Sequence, residues 1–230
     1  MEMQSIDVKT ERFYFSVRLR SLFFPMDLTD ITPLLQEIGY SIYRELIERL
    51  PEAPAGGRLV IGGNIAQRAD VGRRFSMNPD RGVVTITGHD IDGVVDDFTR
   101  FEKLVKERLN LDFEDNARFY EINFDGTATT GKDPTKVVAK VYQSSTLLSD
   151  ISKSLELPVA NFGIRVVEKN RYTTEDKWLE IKIEPSIPRP NSSYYINFIY
   201  REAIKTDVLN QSKVLIETIK KLITSMEQEA

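Results

Sequence analysis

The segment RRFSMNPDRGVVTIT, residues 73–87, contains the clearest local structural signal in the chain. Apolar and polar side chains alternate on both sides of its centre, as they do in strands with one buried face. The centre, Asn78–Gly82, combines the residue types that favour turns, and Val83–Thr87 is rich in β-branched side chains. The segment therefore predicts two antiparallel strands, 71–77 and 83–87, joined by a tight turn.

The residues before this hairpin predict a strand, a helix and a short strand. Alternation predicts a strand over 12–24 that buries Phe13 and Phe15. Thr32 and Pro33 are typical of a helix start, and apolar residues at helical spacing follow as far as Leu50. After a turn-rich connection, residues 58–61 predict the strand that pairs with 71–77.

The residues after the hairpin predict a second helix and then a repetition of the same order of elements. Asp90 or Asp92 can cap the helix, whose apolar stripe ends near Asn110. The further predictions are a strand at 118–124, a helix at 134–157, strands at 162–168, 178–183 and 194–200, and a long helix from 206. Alternation in the strand at 118–124 predicts that Tyr120 and Ile122 are buried.

We therefore predict an α+β protein built by tandem duplication of a β-α-β-β-β-α unit. The first copy spans residues 11–110 and the second spans 111–228, in one compact pseudo-symmetric unit. Hairpin connections predict mostly antiparallel sheets with helices on one face. An apolar opposite face would need cover, which favours self-association, another protein or a ligand.

Composition excludes several classes of function. There are 31 Lys and Arg against 35 Asp and Glu, a net charge of -4, so nucleic acid is a disfavoured partner unless a local basic patch exists. The absence of cysteine excludes disulfides and thiolate chemistry. No apolar run approaches the length of a membrane helix and no secretory signal is evident, so we expect a soluble cytoplasmic protein without a membrane partner.

Three patches of sequence resemble a widespread family of uncharacterised prokaryotic proteins with this duplicated plan. They are RRFSMNPDRGVV at 73–84, FTRFEKLVKERL at 98–109, and FIYRE at 198–202 followed by a long helix. The resemblance implies the fold and no catalytic residues. The order of elements also resembles the TATA-binding saddle, but that repeat has an extra strand and a basic sheet that faces DNA.

The segment Gly126–Asp133 has the spacing of a phosphate-binding loop up to its last position, between a predicted strand and a predicted helix. Gly126, Gly131 and Lys132 would then contact phosphate. However, Asp133 replaces the hydroxyl that holds magnesium, and its charge would repel a triphosphate. A loop that ends in an aspartate helix cap is the alternative, and we favour it.

Two other groups are candidates for a ligand site. His89 is the one histidine and lies beside Asp90 and Asp92, which suggests metal or acid–base chemistry or, as we favour, a turn before a helix. Arg73 and Arg74 share a predicted strand. The side chains of Tyr14, Arg18 and Arg20 would join them if the strands belong to one sheet, and such a surface suits phosphate or single-stranded nucleic acid.

Aromatic and apolar stripes near the carboxyl end suit either binding or core packing. The aromatic residues are Trp178, Tyr194, Tyr195, Phe198 and Tyr200, and the stripe on the last helix runs from Leu215 to Met226. We favour burial for both.

We expect a non-catalytic binding or protein-interaction module that self-associates, for example as a homodimer, or binds another protein, and that uses no cofactor or metal. The first alternative is an enzyme for a phosphorylated or nucleotide substrate, with Lys132, Arg73 and Arg74 as phosphate ligands and Asp90 or Asp92 as acid or base. The second alternative is single-stranded nucleic-acid binding.

Overall fold

The computed structural model describes residues 6–20, 25–49, 62–141, 146–169 and 176–229. Its strands are β1 (Asp7–Leu19), β2 (Ser41–Ile42), β3 (Gly63–Arg68), β4 (Arg73–Asn78), β5 (Val83–Gly88), β6 (Ala117–Thr129), β7 (Ile164–Val167), β8 (Trp178–Pro185) and β9 (Ser193–Glu202). They form one sheet in the order β2-β3-β4-β5-β1-β6-β9-β8-β7, and every neighbouring pair is antiparallel.

The helices of the described residues are α1 (Leu28–Glu37), α2 (Arg44–Arg49), α3 (Ile91–Leu109), α4 (Phe113–Asn116), α5 (Pro134–Val141), α6 (Thr146–Leu155) and α7 (Lys205–Glu229). In this part of the chain no helix combines the length and apolarity needed to span a membrane. Helices and an antiparallel sheet confirm the predicted α+β class. The elements of the two halves follow a related order, and their origin by duplication stays a prediction.

Strands β1 and β6 form the centre of the sheet and pair along nearly their full length. Phe13 and Phe15 are buried on β1, and Tyr120 and Ile122 are buried on β6, as the alternation predicted. In the register of the pair, Phe15 lies opposite Ile122, so the buried residues of both strands share one face. The two halves therefore contribute to one continuous sheet with a common core.

Helices α3 and α7 cover this buried face. The ring of Phe98 on α3 lies 4.6 Å from that of Phe15, and the ring of Phe101 lies 4.8 Å from that of Phe75 on β4. Leu215, Ile219 and Ile223 are fully buried, because α7 uses its apolar stripe on its own sheet. Tyr194 and Phe198 also belong to the core, and Trp178 is almost completely buried.

The turn at Asn78–Gly82 forms as predicted. The Asn78 side chain accepts a hydrogen bond from the Arg81 N–H at 3.2 Å, and Gly82 has φ +64°, a left-handed conformation that favours glycine. This turn joins β4 to β5 directly, so the side chains at the start of β4 and the end of β5 meet at the same end of the hairpin.

The prediction of one helix over residues 33–50 was wrong. Asp27 caps α1 through a capping box with Asp30, five residues ahead of Thr32, and Pro33 lies inside the helix. The helix ends at Glu37 because Gly39 adopts φ +90°, after which β2 and α2 follow. The side chain of Asp27 is a better N-cap than that of Thr32, so the helix begins after Asp27 and not at Pro33.

Three other predicted boundaries differ from the structure. Strand β1 begins five residues earlier than predicted, at Asp7, and ends at Leu19, while residues 21–24 lie outside the described ranges. Strand β6 is longer than predicted, because it continues to Thr129 through the loop expected after residue 124. The helix predicted over 134–157 corresponds to α5 and α6, with residues 142–145 outside the description. The strand predicted at 58–61 also lies outside the described residues, and β3 pairs with β4 instead.

The sheet face opposite the helices is mainly polar. On β1, for example, Tyr14, Ser16 and Arg18 alternate with the buried residues and are partly exposed. Their polarity means that this face has no need of an apolar cover. The need for cover, from which self-association was inferred, therefore does not follow from the sheet.

Candidate functional site

Two arginines stand side by side at the turn between β3 and β4. Arg68 ends β3 and Arg73 begins β4, and the register places them directly opposite each other. The turn between them closes on Gly72, whose φ of +65° is left-handed. Both side chains lie on the helix-covered face, because Phe75, two residues after Arg73, is buried there.

Asp97 on α3 receives both arginines. Its carboxylate is 2% exposed and accepts from Arg68 Nη1 at 2.9 Å, from Arg73 Nη1 at 3.0 Å and from the Tyr40 hydroxyl at 3.0 Å. A buried carboxylate is tolerated only with such partners. Burial, and then the negative charge of Asp97, raise the pKa of Tyr40 far above its ordinary value.

Arg73 also pairs with Asp90, whose Oδ2 accepts from Arg73 Nη2 at 2.8 Å. Asp90 occupies the N-cap position of α3, but its side chain makes no capping hydrogen bond. Burial lowers the pKa of Arg73, but the hydrogen bonds and charges of Asp97 and Asp90 outweigh it and raise that pKa overall. Asp90 is therefore a counter-ion of Arg73, and the predicted role as helix cap is wrong for its side chain.

Gly93 leaves the room that Arg73 occupies. A Cβ atom at this position would lie 1.6 Å from Arg73 Nη2, closer than any non-bonded contact allows. Any other residue would displace the guanidinium from Asp97 and Asp90. Among the buried side-chain nitrogen and oxygen atoms of the described residues, Arg73 Nε is the one without a hydrogen-bond partner.

A cleft of about 380 Å³ opens beside the two arginines, and we name it the arginine cleft. It is lined by Glu11, Arg12, Gln67, Arg68, Ala69, Gly72, Arg73, Arg74, Thr87, Gly88 and His89. Four of these residues are arginines, and Glu11 is the one carboxylate among them. The end of β5, residues 11 and 12 of β1 and the β3–β4 turn together form its walls.

Two of the four arginines have no carboxylate as a direct partner. Within the described residues, no hydrogen bond or ion pair joins the exposed Arg74 side chain to another group. Arg12 Nη1 donates to the Tyr14 hydroxyl at 2.7 Å, and this hydrogen bond is the main cause of the raised pKa of Arg12. Positive charge at the mouth of the cleft is therefore compensated less than the charge of Arg68 and Arg73.

A second cleft, of about 580 Å³, lies on the other side of Arg68 and Arg73. Its further charged residues are Asp90, Asp92, Asp96, Asp97 and Arg100. Over the ranges that the structure describes, no group of three or more His, Asp or Glu side chains is arranged to hold a metal ion. The two arginines thus separate an acidic cleft from a basic one.

The structure brings together three of the predicted site residues and places the other three elsewhere. Arg73, Arg74 and His89 line the arginine cleft. Gly126, in contrast, lies inside β6, and the Lys132 ammonium contacts the backbone carbonyl of Glu227 at the end of α7.

The segment Gly126–Asp133 serves as strand and helix cap in the structure. A Cβ atom at Gly126 would lie 2.4 Å from the Phe124 ring, so the glycine has a packing role in β6. Asp133 accepts from the backbone N–H of Thr135 at 3.0 Å and from its hydroxyl, which lowers the pKa of Asp133. This arrangement matches the alternative of an aspartate cap, and phosphate binding by Gly131 and Lys132 stays a prediction.

Sequence reasoning missed Arg12, Arg68 and Asp97 as members of the site. Arg68 lies five positions before Arg73, and this spacing across a possible hairpin turn was the one available signal. Asp97 lies within the apolar stripe of α3, three residues after Val94 and four before Phe101, and this helical spacing was the signal that distinguishes it from Asp96. Only the docking of α3 on the sheet shows that its partners are Arg68 and Arg73.

No protein-family model matches this chain, and a search of curated proteins gives no significant match.

Proposed function

We propose that this protein is a binding module that takes up an anionic group, a phosphate or a carboxylate, in the arginine cleft. The observation that supports the proposal is the charge of its lining: four arginines and His89 surround about 380 Å³, with Glu11 as the one acidic side chain. A planar guanidinium can donate two parallel hydrogen bonds to two oxygen atoms of either anion.

The arginines divide into a fixed pair and an available pair. Arg68 and Arg73 are held by Asp97 and Asp90, so they lose little conformational entropy when a ligand arrives. Arg74 and Arg12 stand at the mouth, and among the described residues neither forms an ion pair with a carboxylate. Arg68 and Arg73 thus form a rigid floor of the cleft, and Arg12 and Arg74 provide cations at its entrance. This arrangement is expected of a protein that binds anions.

The carboxylates beside the cleft support binding better than acid–base chemistry. Asp97 already accepts hydrogen bonds from three side chains, and Asp90 is paired with Arg73. Carboxylate oxygens that are already occupied by such partners suit a counter-ion and do not suit a group that must exchange a proton with substrate.

Isothermal titration calorimetry with inorganic pyrophosphate tests the proposal. Arg74→Gln removes an available cation without touching the core, and we expect its affinity to fall about tenfold, the size of one lost charge-assisted hydrogen bond. Lys132→Gln is the matched control at the other candidate phosphate site. Binding that depends on Lys132 and not on Arg74 would overturn the proposal, as would the absence of binding by both pyrophosphate and a tricarboxylate.

A further inference from the structure

The open face of the sheet divides into two halves of different charge. On β4, β5 and residues 12–18 of β1, the side chains on this face are Arg12, Tyr14, Ser16, Arg18, Arg74, Ser76, Asn78, Val83, Thr85 and Thr87. We name this set the arginine face. It carries three arginines and no carboxylate, whereas Asp7, Lys9 and Glu11 precede it on β1 and Asp125 lies opposite Arg12 on β6.

The other half of the open face, on β6 to β9, is balanced by internal pairs. Glu121 pairs with Arg201 and Glu180 pairs with Arg165. Asp125 lies opposite Arg12 across the central strand pair and accepts hydrogen bonds from two side chains of β9. The donors to Asp125 are neutral, and its charge acts on Arg12, so the positive charge of the arginine face is least compensated at Arg18 and Arg74.

The arginine face is continuous with the arginine cleft. Arg12, Arg74 and Thr87 belong to both, since they line the cleft and point to the open side of the sheet. Arg18 lies at the other end, six residues along β1 from Arg12, a distance of roughly 20 Å at the rise of an extended strand. A ligand that contacts the cleft and Arg18 together must carry several negative charges along an extended chain.

The face also provides an aromatic ring between its cations. Tyr14 stands on β1 between Arg12 and Arg18, with the Arg12 guanidinium 5.7 Å from its ring centre. Its neighbours on this face, Ser16 and Thr85, are small hydroxyl side chains joined by a hydrogen bond of 2.9 Å. Aromatic rings and arginine planes stack on nucleobases, while flanking cations hold the phosphates.

We propose, on the basis of the proposed anion site, that the ligand is single-stranded nucleic acid running along β1 from the arginine cleft to Arg18. One phosphate occupies the cleft, the backbone follows the cations of the arginine face, and a base stacks on Tyr14. An acidic peptide could also bind the arginines, but it has no base to stack on the Tyr14 ring.

Fluorescence anisotropy with labelled oligothymidylate of about twelve nucleotides tests this proposal, with polyglutamate as competitor. Affinity should fall with salt, with a log–log slope near -2 for three contacts to single-stranded phosphate. Arg18→Gln should weaken binding about fivefold and make that slope shallower by about 0.7. Tyr14→Leu should weaken binding about tenfold without changing the slope. Arg165→Gln, the same substitution on the balanced half, should have no effect.

The outcomes separate this inference from the anion site itself. Pyrophosphate binding without oligothymidylate binding would overturn the inference and leave the anion site standing, whereas failure of both ligands would overturn both. Oligothymidylate binding that ignores Arg18 and Tyr14 would also overturn the inference, as would displacement by polyglutamate at equal charge concentration. Thermal unfolding of each variant confirms that it is folded.

Discussion

Single residues decide the candidate site, and Asp97 is the most important of them. One buried carboxylate orients two arginines from the β3–β4 hairpin and one tyrosine that follows α1. The free-energy cost of burying the Asp97 charge is offset only by these partners. Removal of any one of the four side chains should therefore destabilise the others. The floor of the arginine cleft therefore depends on a helix residue that does not line the cleft.

Asp97→Asn tests this dependence. Loss of the charge leaves two partly buried guanidinium groups without their shared counter-ion, and we expect the free energy of unfolding to fall by about 3–5 kcal/mol. Asp96→Asn, one residue away and exposed, should change it by less than about 0.5 kcal/mol. Urea denaturation of the two variants measures the difference. Equal stability of the two would show that the ion pairs of Asp97 do not stabilise the fold.

Tyr40 gives the site a dependence on alkaline pH. Its pKa in the folded protein lies above the unfolded value of about 10, so its contribution to stability is complete below that pH and is lost as the pH rises above it. The loss from Tyr40 is about 1.4 kcal/mol for each pH unit above 10. Tyr40→Phe should make the decline of unfolding free energy between about pH 10 and pH 11 shallower by about 1 kcal/mol, because an unfolded tyrosine is only half ionised at pH 10. An unchanged slope would contradict the burial of the hydroxyl.

At the scale of elements, the sequence predicted best what depends on neighbouring residues. The hairpin of β4 and β5 follows from alternation and from Asn78–Gly82, and it brings Arg73 and Arg74 close to His89. The break between α1 and α2 was missed because the left-handed Gly39 lies within an apolar pattern that continues across it. Arg68, Gly93 and Asp97 could not be grouped from sequence, because their contact requires α3 to dock on the sheet.

Gly126→Ala distinguishes a strand glycine from a phosphate-loop glycine. Its new Cβ would meet the Phe124 ring at 2.4 Å and the Lys9 carbonyl at 2.6 Å, in the central pair β1–β6. We expect a loss of about 1–3 kcal/mol in the free energy of unfolding, typical of overpacking. Gly131→Ala, at an exposed position, is the control and should change stability little. A phosphate-loop glycine would instead show unchanged stability and lost phosphate affinity.

The whole molecule is organised around the contact between its halves. Strand β1 pairs with β5 of its own half and with β6 of the other, and β6 pairs in turn with β9. Glu102 on α3 repeats this link on the helix side, because it accepts from the Tyr120 hydroxyl at 3.2 Å and contacts the Lys205 ammonium of α7. Backbone pairing and side-chain contacts therefore join the halves in the core.

Separation of the halves should consequently unfold both. A fragment of residues 1–110 would expose the whole length of β1 as an edge strand, and a fragment of residues 111–230 would expose β6. Each strand is 13 residues long with apolar side chains on one face, which is a strong template for aggregation. We expect neither fragment to show a cooperative thermal transition alone, and an equimolar mixture to regain one.

Calorimetry of the full chain should give a single transition whose calorimetric and van't Hoff enthalpies agree. Two resolved transitions, or a fragment that melts cooperatively by itself, would show instead that each half is an independent domain and that the pairing of β1 with β6 is a docking contact between them.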